Sequence, residues 1–194
     1  MKYEPTPSQT VGPFFSIGLS ALCCDEVRCE ELRGERVTIF GRVLDGDGQA
    51  VPDAVLEIWQ APARDLSVAA AEAVVTEEFE TRRAGNVPPG FARVATNEQG
   101  DFRFSAMKTQ AVHDEQGITH SPHLVVLLFM RGLLRHLVTR IYFAEETANE
   151  EDAVLKTVPA ERRETLLAER QEKDGSWRWD VHLQGERETV FFDA

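Results

Sequence analysis

Residues 36–60 read Arg36-Val37-Thr38-Ile39-Phe40-Gly41-Arg42-Val43-Leu44-Asp45-Gly46-Asp47-Gly48-Gln49-Ala50-Val51-Pro52-Asp53-Ala54-Val55-Leu56-Glu57-Ile58-Trp59-Gln60, and they decide the fold class. The opening nine are rich in β-branched and aromatic side chains, which suit a pleated strand, and Asp45-Gly46-Asp47-Gly48 then breaks the run. From Ala54 onward the chain alternates. Val55, Glu57 and Trp59 fall on one face and Leu56 and Ile58 on the other, as in a largely buried strand. Similar runs follow. Residues 91–96 and 101–106 flank Asn97-Glu98-Gln99-Gly100, a loop composition that predicts a hairpin. Residues 124–129 are apolar on both faces, which predicts a central strand, and residues 136–143 continue after a short Arg131-Gly132 connection. Many short strands with glycine-bearing turns predict an all-β fold, a sandwich of two mostly antiparallel sheets.

Around that β core, residues 36–144, the texture changes. Residues 1–35 open with Thr6-Pro7-Ser8-Gln9-Thr10-Val11-Gly12-Pro13-Phe14-Phe15, whose X-Pro steps favour an extended N-terminal arm. Residues 62–90 form an alanine- and glutamate-rich insert, helix-like over 69–75, that ends in Pro88-Pro89-Gly90. Residues 145–194 begin with Glu145, Glu146, Glu150, Glu151 and Asp152, a charge run that reads as a solvated face. A short helix is expected next, with Pro159 in its first turn and Leu166 and Leu167 facing inward. Residues 177–183 return to strand with Trp177, Trp179, Val181 and Leu183 on one face, and Val190-Phe191-Phe192 forms an apolar tail. The whole, residues 1–194, is expected to be one domain. A chain this long, 42% hydrophobic, can bury a sizeable core without disulfides or a structural metal.

Thirty-three acids against 21 bases leave a formal charge of −12. Such a field repels phosphate backbones and anionic lipid, which sets nucleic-acid and membrane-surface roles aside. The longest apolar run, residues 124–130, is far short of the ~20 residues of a membrane span. The amino terminus lacks the apolar stretch of a signal peptide, so a cytoplasmic location is expected. Cys23, Cys24 and Cys29, odd in number and crowded, read as reduced thiols rather than metal ligands.

The residues alone contain no convincing catalytic constellation. His120-Ser121-Pro122-His123 is a possible metal pair, but Pro122 excludes the helical spacing that would align two imidazoles. His113, His136 and His182 are scattered. There is no phosphate-cradling glycine loop and no serine in a nucleophile elbow.

The strands, however, carry a resemblance. Residues 41–61, the stretch from Phe91 to Phe104, Pro122-His123-Leu124-Val125-Val126-Leu127-Leu128-Phe129-Met130-Arg131-Gly132, and Leu137-Val138-Thr139-Arg140-Ile141-Tyr142-Phe143 resemble the core of the intradiol ring-cleavage dioxygenases. Thr6 to Phe14, Glu161 to Leu167 and Gln184 to Asp193 are similar to the metal-less chain of the family's two-chain members. The resemblance implies a holoenzyme that opens the ring of 3,4-dihydroxybenzoate with O₂, between its two hydroxyl-bearing carbons, to a carboxy-muconate. The family holds a non-haem Fe(3+) with two tyrosines and two histidines, hard ligands that suit the ion. Here the His-x-His strand reads His123-Leu124-Val125, and no tyrosine occupies Ala63-Arg64-Asp65-Leu66-Ser67 or Ala111-Val112-His113. Only Tyr3 and Tyr142 exist, in the arm and mid-strand. The implied arrangement leaves this chain without iron or catalytic residues, beside an iron-binding beta chain in a larger hetero-oligomer. By position Thr10, Gly12, Pro13 and Phe14 would line the rim of the partner's pocket, with Phe14 standing where relatives often have tyrosine. Arg131 would grip the catechol's carboxylate; on the residues alone it reads as a surface salt bridge. A purely structural partner that touches no substrate is the alternative.

Overall fold

The structure is a computed structural model that describes residues 10, 12, 14–28, 33–60, 88–114 and 116–193. Its organising strand is β1 (Glu35–Leu44), whose alternation buries Val37, Ile39 and Val43. Next come β2 (Val55–Trp59), β3 (Phe91–Ala95), β4 (Asp101–Lys108), the short pair β5 (Val112–His113) and β6 (Thr119–His120), and then β7 (His123–Phe129) and β8 (Leu137–Phe143). After three 3₁₀ turns the chain adds β9 (Leu167–Arg170), β10 (Trp177–Arg178) and β11 (Val181–His182). The fold is mostly β, as the alternation predicts.

Where two sheets are expected, hydrogen bonds link nine strands into one sheet that nearly closes on itself. The link is β9, which pairs with β8 in parallel and with β10 antiparallel. One end of the sheet is β3, paired with β2; the other is β4, paired with β1 over Glu35–Arg42. The remaining seam is bridged by the segment before β1. Cys24 exchanges backbone hydrogen bonds with Arg93 of β3 (2.8 and 2.9 Å), while Asp25 and Val27 bond to Ser105 of β4 (2.7 and 2.8 Å). Inside lie Ile39 and Val43 of β1, Leu56 and Ile58 of β2, Phe102 and Phe104 of β4, and Leu124, Val126 and Leu128 of β7. Tyr142, Leu155, Val158 and Leu166 form a second cluster against the outer face of β8.

Four further expectations change. Strands β3 and β4 do not pair across Asn97–Gly100; β3's free edge is taken by Cys24, and β4 gains a longer ladder on β1. The arm expected to be extended turns helical once past its prolines, as α1 (Phe14–Leu19) followed by a 3₁₀ turn, Ser20–Leu22. The C-terminal helix is a 3₁₀ helix, Ala160–Leu166, with Pro159 just ahead of it; Leu166 is buried, but Leu167 already belongs to β9, because pairing with β8 captures it. The last strand is split, since the Arg42 N–H is met by the Asp180 side chain (3.0 Å) rather than by main chain. Gly41 permits that crossing: a Cβ there would lie 1.7 Å from the Trp179 carbonyl oxygen. Most of the alanine-rich insert, including 69–75, lies outside the described residues, as do Tyr3, Pro13 and Cys29. No helix among the described residues is long and apolar enough to cross a membrane.

Candidate functional site

Alternation along β7 sends Leu124, Val126 and Leu128 into the core and leaves His123, Val125, Leu127 and Phe129 half-buried on the opposite face. The register then builds that face row by row. Trp59 of β2, Val125 and Arg140 of β8 stand side by side, His123 faces Tyr142, and Glu57 lies between Leu127 and Arg93 of β3.

His123 is held through Nδ1, 2.8 Å from the Ser121 carbonyl oxygen. A carbonyl only accepts, so in the neutral ring Nδ1 carries the hydrogen and Nε2 the lone pair. Burial first, and the positive charge of Arg140 second, push the pKa of His123 down to about 4. Its ring centroid is 5.5 Å from that of Tyr142. The Tyr142 hydroxyl donates to Asp152 Oδ1 (3.0 Å), and Arg140 Nη1 lies 3.4 Å from the same hydroxyl oxygen. Burial is the main reason that phenol stays protonated well above its ordinary range. Asp152, wholly buried, also accepts the backbone N–H groups of Ser121 (2.9 Å), Val154 (3.0 Å) and Leu155 (2.8 Å).

These residues do not fit a ferric ion. Val125 offers no donor atom, the Tyr142 phenol is committed to Asp152, and a fixed guanidinium cation lies against the same oxygen. Among the described residues no three His, Cys, Asp or Glu side chains gather where they could hold a metal.

The depressed His123 pKa makes stability pH-dependent. The unfolded ring, near 6.5, binds a proton that the folded ring refuses until about 4, so stability is full above pH 6.5 and falls as pH drops towards 4. Urea unfolding at pH 7 and pH 5 should differ by about 2 kcal/mol in the wild type through this group. In His123→Gln most of that difference should vanish; an equal drop in the variant would place the titration elsewhere.

Of the residues expected at the pocket rim, Pro13 lies outside the described residues. Thr10 is exposed, and its Oγ1 accepts the Gly12 N–H at 3.3 Å. Gly12 has φ +61, a left-handed conformation that favours glycine. Phe14 opens α1 and is 74% exposed, joined by Ile17 and Leu22 as exposed apolar surface. Arg131 follows β7, with Nε 3.2 Å from Asp53 Oδ2; the arginine is 61% exposed and the aspartate 13%. Register explains the pair, since Val55 faces Phe129 and Asp53 and Arg131 are each two residues beyond. No described contact joins Arg131 to the arm.

Sequence reasoning missed three members of the polar face. Tyr142 and Arg140 stand beside His123 and Val125 only through the β7–β8 register. Asp152, read as part of a solvated run, is a buried acceptor; its place just ahead of Val154 and Leu155, as a turn-capping aspartate, was the available signal.

The Dioxygenase_C family model, described as Dioxygenase, matches residues 11–185. The protocatechuate 3,4-dioxygenase alpha chain of Burkholderia cepacia is 39% identical, covering 98% of both chains. That of Pseudomonas putida is 37% identical over 97% of this chain and 96% of its own length. The Burkholderia cepacia beta chain is 27% identical over 73% of this chain and 59% of its own. Among solved structures, hydroxyquinol 1,2-dioxygenase from Pseudomonas putida DLL-E4 shares the fold, with a TM-score of 0.58, 16% identity, and coverage of 94% of this chain and 63% of that one. This chain therefore spans less than two thirds of that enzyme's length. With the family model reaching across most of its residues and two relatives above 30% identity from end to end, the chain belongs to the intradiol dioxygenase family.

Proposed function

We propose that this chain is the alpha subunit of a cytoplasmic protocatechuate 3,4-dioxygenase, in which residues 1–194 act as one domain beside an iron-bearing beta chain. The observation that carries this reading is end-to-end identity with alpha chains, through both the arm and the tail, at 39% over 98% of each chain. The similarity to a beta chain as well supports an alpha–beta partnership in a larger hetero-oligomer. The holoenzyme opens 3,4-dihydroxybenzoate with O₂ to 3-carboxy-cis,cis-muconate, with the Fe(3+) on the beta chain.

This chain's own residues bind and exclude. The exposed Phe14, Ile17 and Leu22 of the helical arm seal against the partner, and Thr10, Gly12, Pro13 and Phe14 wall the pocket from water. Arg131, steadied through Nε by Asp53, presents its terminal nitrogens to the substrate carboxylate in a two-pronged grip. In the co-assembled enzyme, Arg131→Ala should raise KM for 3,4-dihydroxybenzoate about 10–100-fold, the loss of a charge-assisted contact of about 1.5–3 kcal/mol, with bound iron unchanged. Steady-state kinetics with an iron assay test this. Unchanged KM and kcat would make the chain a purely structural partner, and iron ligated by this chain alone would overturn the reading altogether.

A further inference from the structure

Strands β9 and β10 face each other at Trp177 with Arg170 and at Arg178 with Glu169, and then part. Nearer its start β9 pairs with β8 instead, at Leu167, while β10 gives way at Trp179 and Asp180 before β11 resumes along β1. The parting opens a cleft of about 380 Å³ whose apolar lining is Leu167 and Trp179. Its frame is internally bonded. The Trp179 indole N–H donates to the Thr165 carbonyl (3.0 Å), and Asp180 accepts the Arg42 N–H (3.0 Å) together with Nε and Nη2 of Arg178 (3.1 and 2.8 Å). Arg162 Nη2 donates to the Glu188 carbonyl (2.7 Å), which ties the 3₁₀ helix that carries Glu164 to the turn that carries Arg187.

What the frame leaves over is charge. Glu169 stands directly across from Arg178, where a cross-strand ion pair would form, yet the fork of that arginine is turned to Asp180. Among the described residues Glu169 has no ion pair, nor has Glu164, nor has Arg187 beside His182. His182 adds no charge: burial first, and the nearby Arg187 second, hold its pKa below the ordinary value, so the ring is neutral at pH 7. Arg178 and Asp180 cancel. Two carboxylates therefore share the cleft with one guanidinium, which leaves it a net negative charge.

That imbalance selects the ligand. A simple cation leaves Arg187 unmatched, a simple anion leaves both glutamates, and a neutral zwitterion leaves one of them. A molecule with one carboxylate and two cationic groups matches all three. Basic α-amino acids have that composition, and they carry the second cation on an apolar stem that Leu167 and Trp179 suit. A guanidinium adds two-pronged pairing with a carboxylate. We propose that this cleft is a binding site for a free basic α-amino acid of the arginine type, its carboxylate on Arg187, its stem along Leu167 and Trp179, and its ammonium and guanidinium on Glu164 and Glu169. None of the described lining residues belongs to the arm, to β7 or to the Arg131–Asp53 pair.

The probe is radiolabelled L-arginine, in equilibrium dialysis at low salt against the full chain, purified with a co-expressed beta chain. Exposed ion pairs are each weak, so one equivalent per copy of this chain is expected with a dissociation constant of about 0.1–1 mM. Citrulline, which lacks the side-chain cation, and agmatine, which lacks the carboxylate, should each compete about threefold or more less well than unlabelled arginine. Arg187→Gln should weaken binding about threefold or more, and the double variant Glu164→Gln/Glu169→Gln about tenfold or more. Thermal melts and co-purification with the beta chain establish that each variant is folded and assembled. No saturable binding, equal competition by all three compounds, or a double variant that binds arginine like the wild type overturns the proposal.

Discussion

Asp152→Ala should lower the free energy of unfolding by about 4 kcal/mol or more, because one carboxylate satisfies four donors that have no other acceptor among the described residues. Ser121 N–H and the Tyr142 hydroxyl come from the edges of β7 and β8, while Val154 and Leu155 begin the 3₁₀ turn that packs Leu155 beneath Tyr142. Each buried donor left unpaired costs about 1–3 kcal/mol, and water cannot replace the lost oxygen at a fully buried position. Asp152→Asn keeps one carbonyl oxygen and should recover about half the loss. Urea unfolding with two spectroscopic probes measures both. An alanine variant within about 1 kcal/mol of wild type would mean that this carboxylate does not hold the two regions together.

The second large effect concerns Glu57 and Arg93. Both are buried, the arginine to 3% and the glutamate to 11% exposure, and the Arg93 guanidinium also lies 5.1 Å from the Phe91 ring centroid. Glu57→Ala strands the Arg93 cation away from water and should cost about 3–5 kcal/mol. Removing both charges is a different experiment. A Glu57→Leu/Arg93→Leu double variant loses the attraction and the desolvation penalty together, so it should fall within about 1–2 kcal/mol of wild type. A double-mutant cycle by chemical denaturation separates the cases. If the double variant is as damaged as Glu57→Ala, packing rather than charge sets the loss.

Local pattern made β1, β2, β7 and β8 legible: β1 and β7 bury alternate residues, while β2 and β8 are short, largely buried apolar runs, and both rules need only near neighbours. Partner choice was not legible. Asn97–Gly100 announces a reversal, yet nothing in it says that β4 will join β1 instead of returning along β3. The pairing of Arg42 with Asp180 spans 138 residues, beyond any local pattern. The same division holds for the site. The replacement of an imidazole by Val125 is visible in three consecutive residues, whereas the approach of Arg140, Tyr142 and Asp152 to His123 depends on a register and a turn. Asp152 was hidden by its neighbours, since a buried acid inside a row of exposed ones has the same composition as a solvated loop.

Segments from early and late in the chain are sewn into one sheet: Cys24–Val27 fills the seam between β3 and β4, and β10 and β11 lie along β1. During synthesis β1 must therefore wait, one edge unclaimed, until residues 177–182 leave the ribosome. The helix Phe14–Leu19, made before any strand of the sheet and carrying Phe14 into solvent, leads into that same seam. A subunit meeting this helix before release would grasp the nascent protein next to its final closure, so assembly and folding would proceed as one event rather than two.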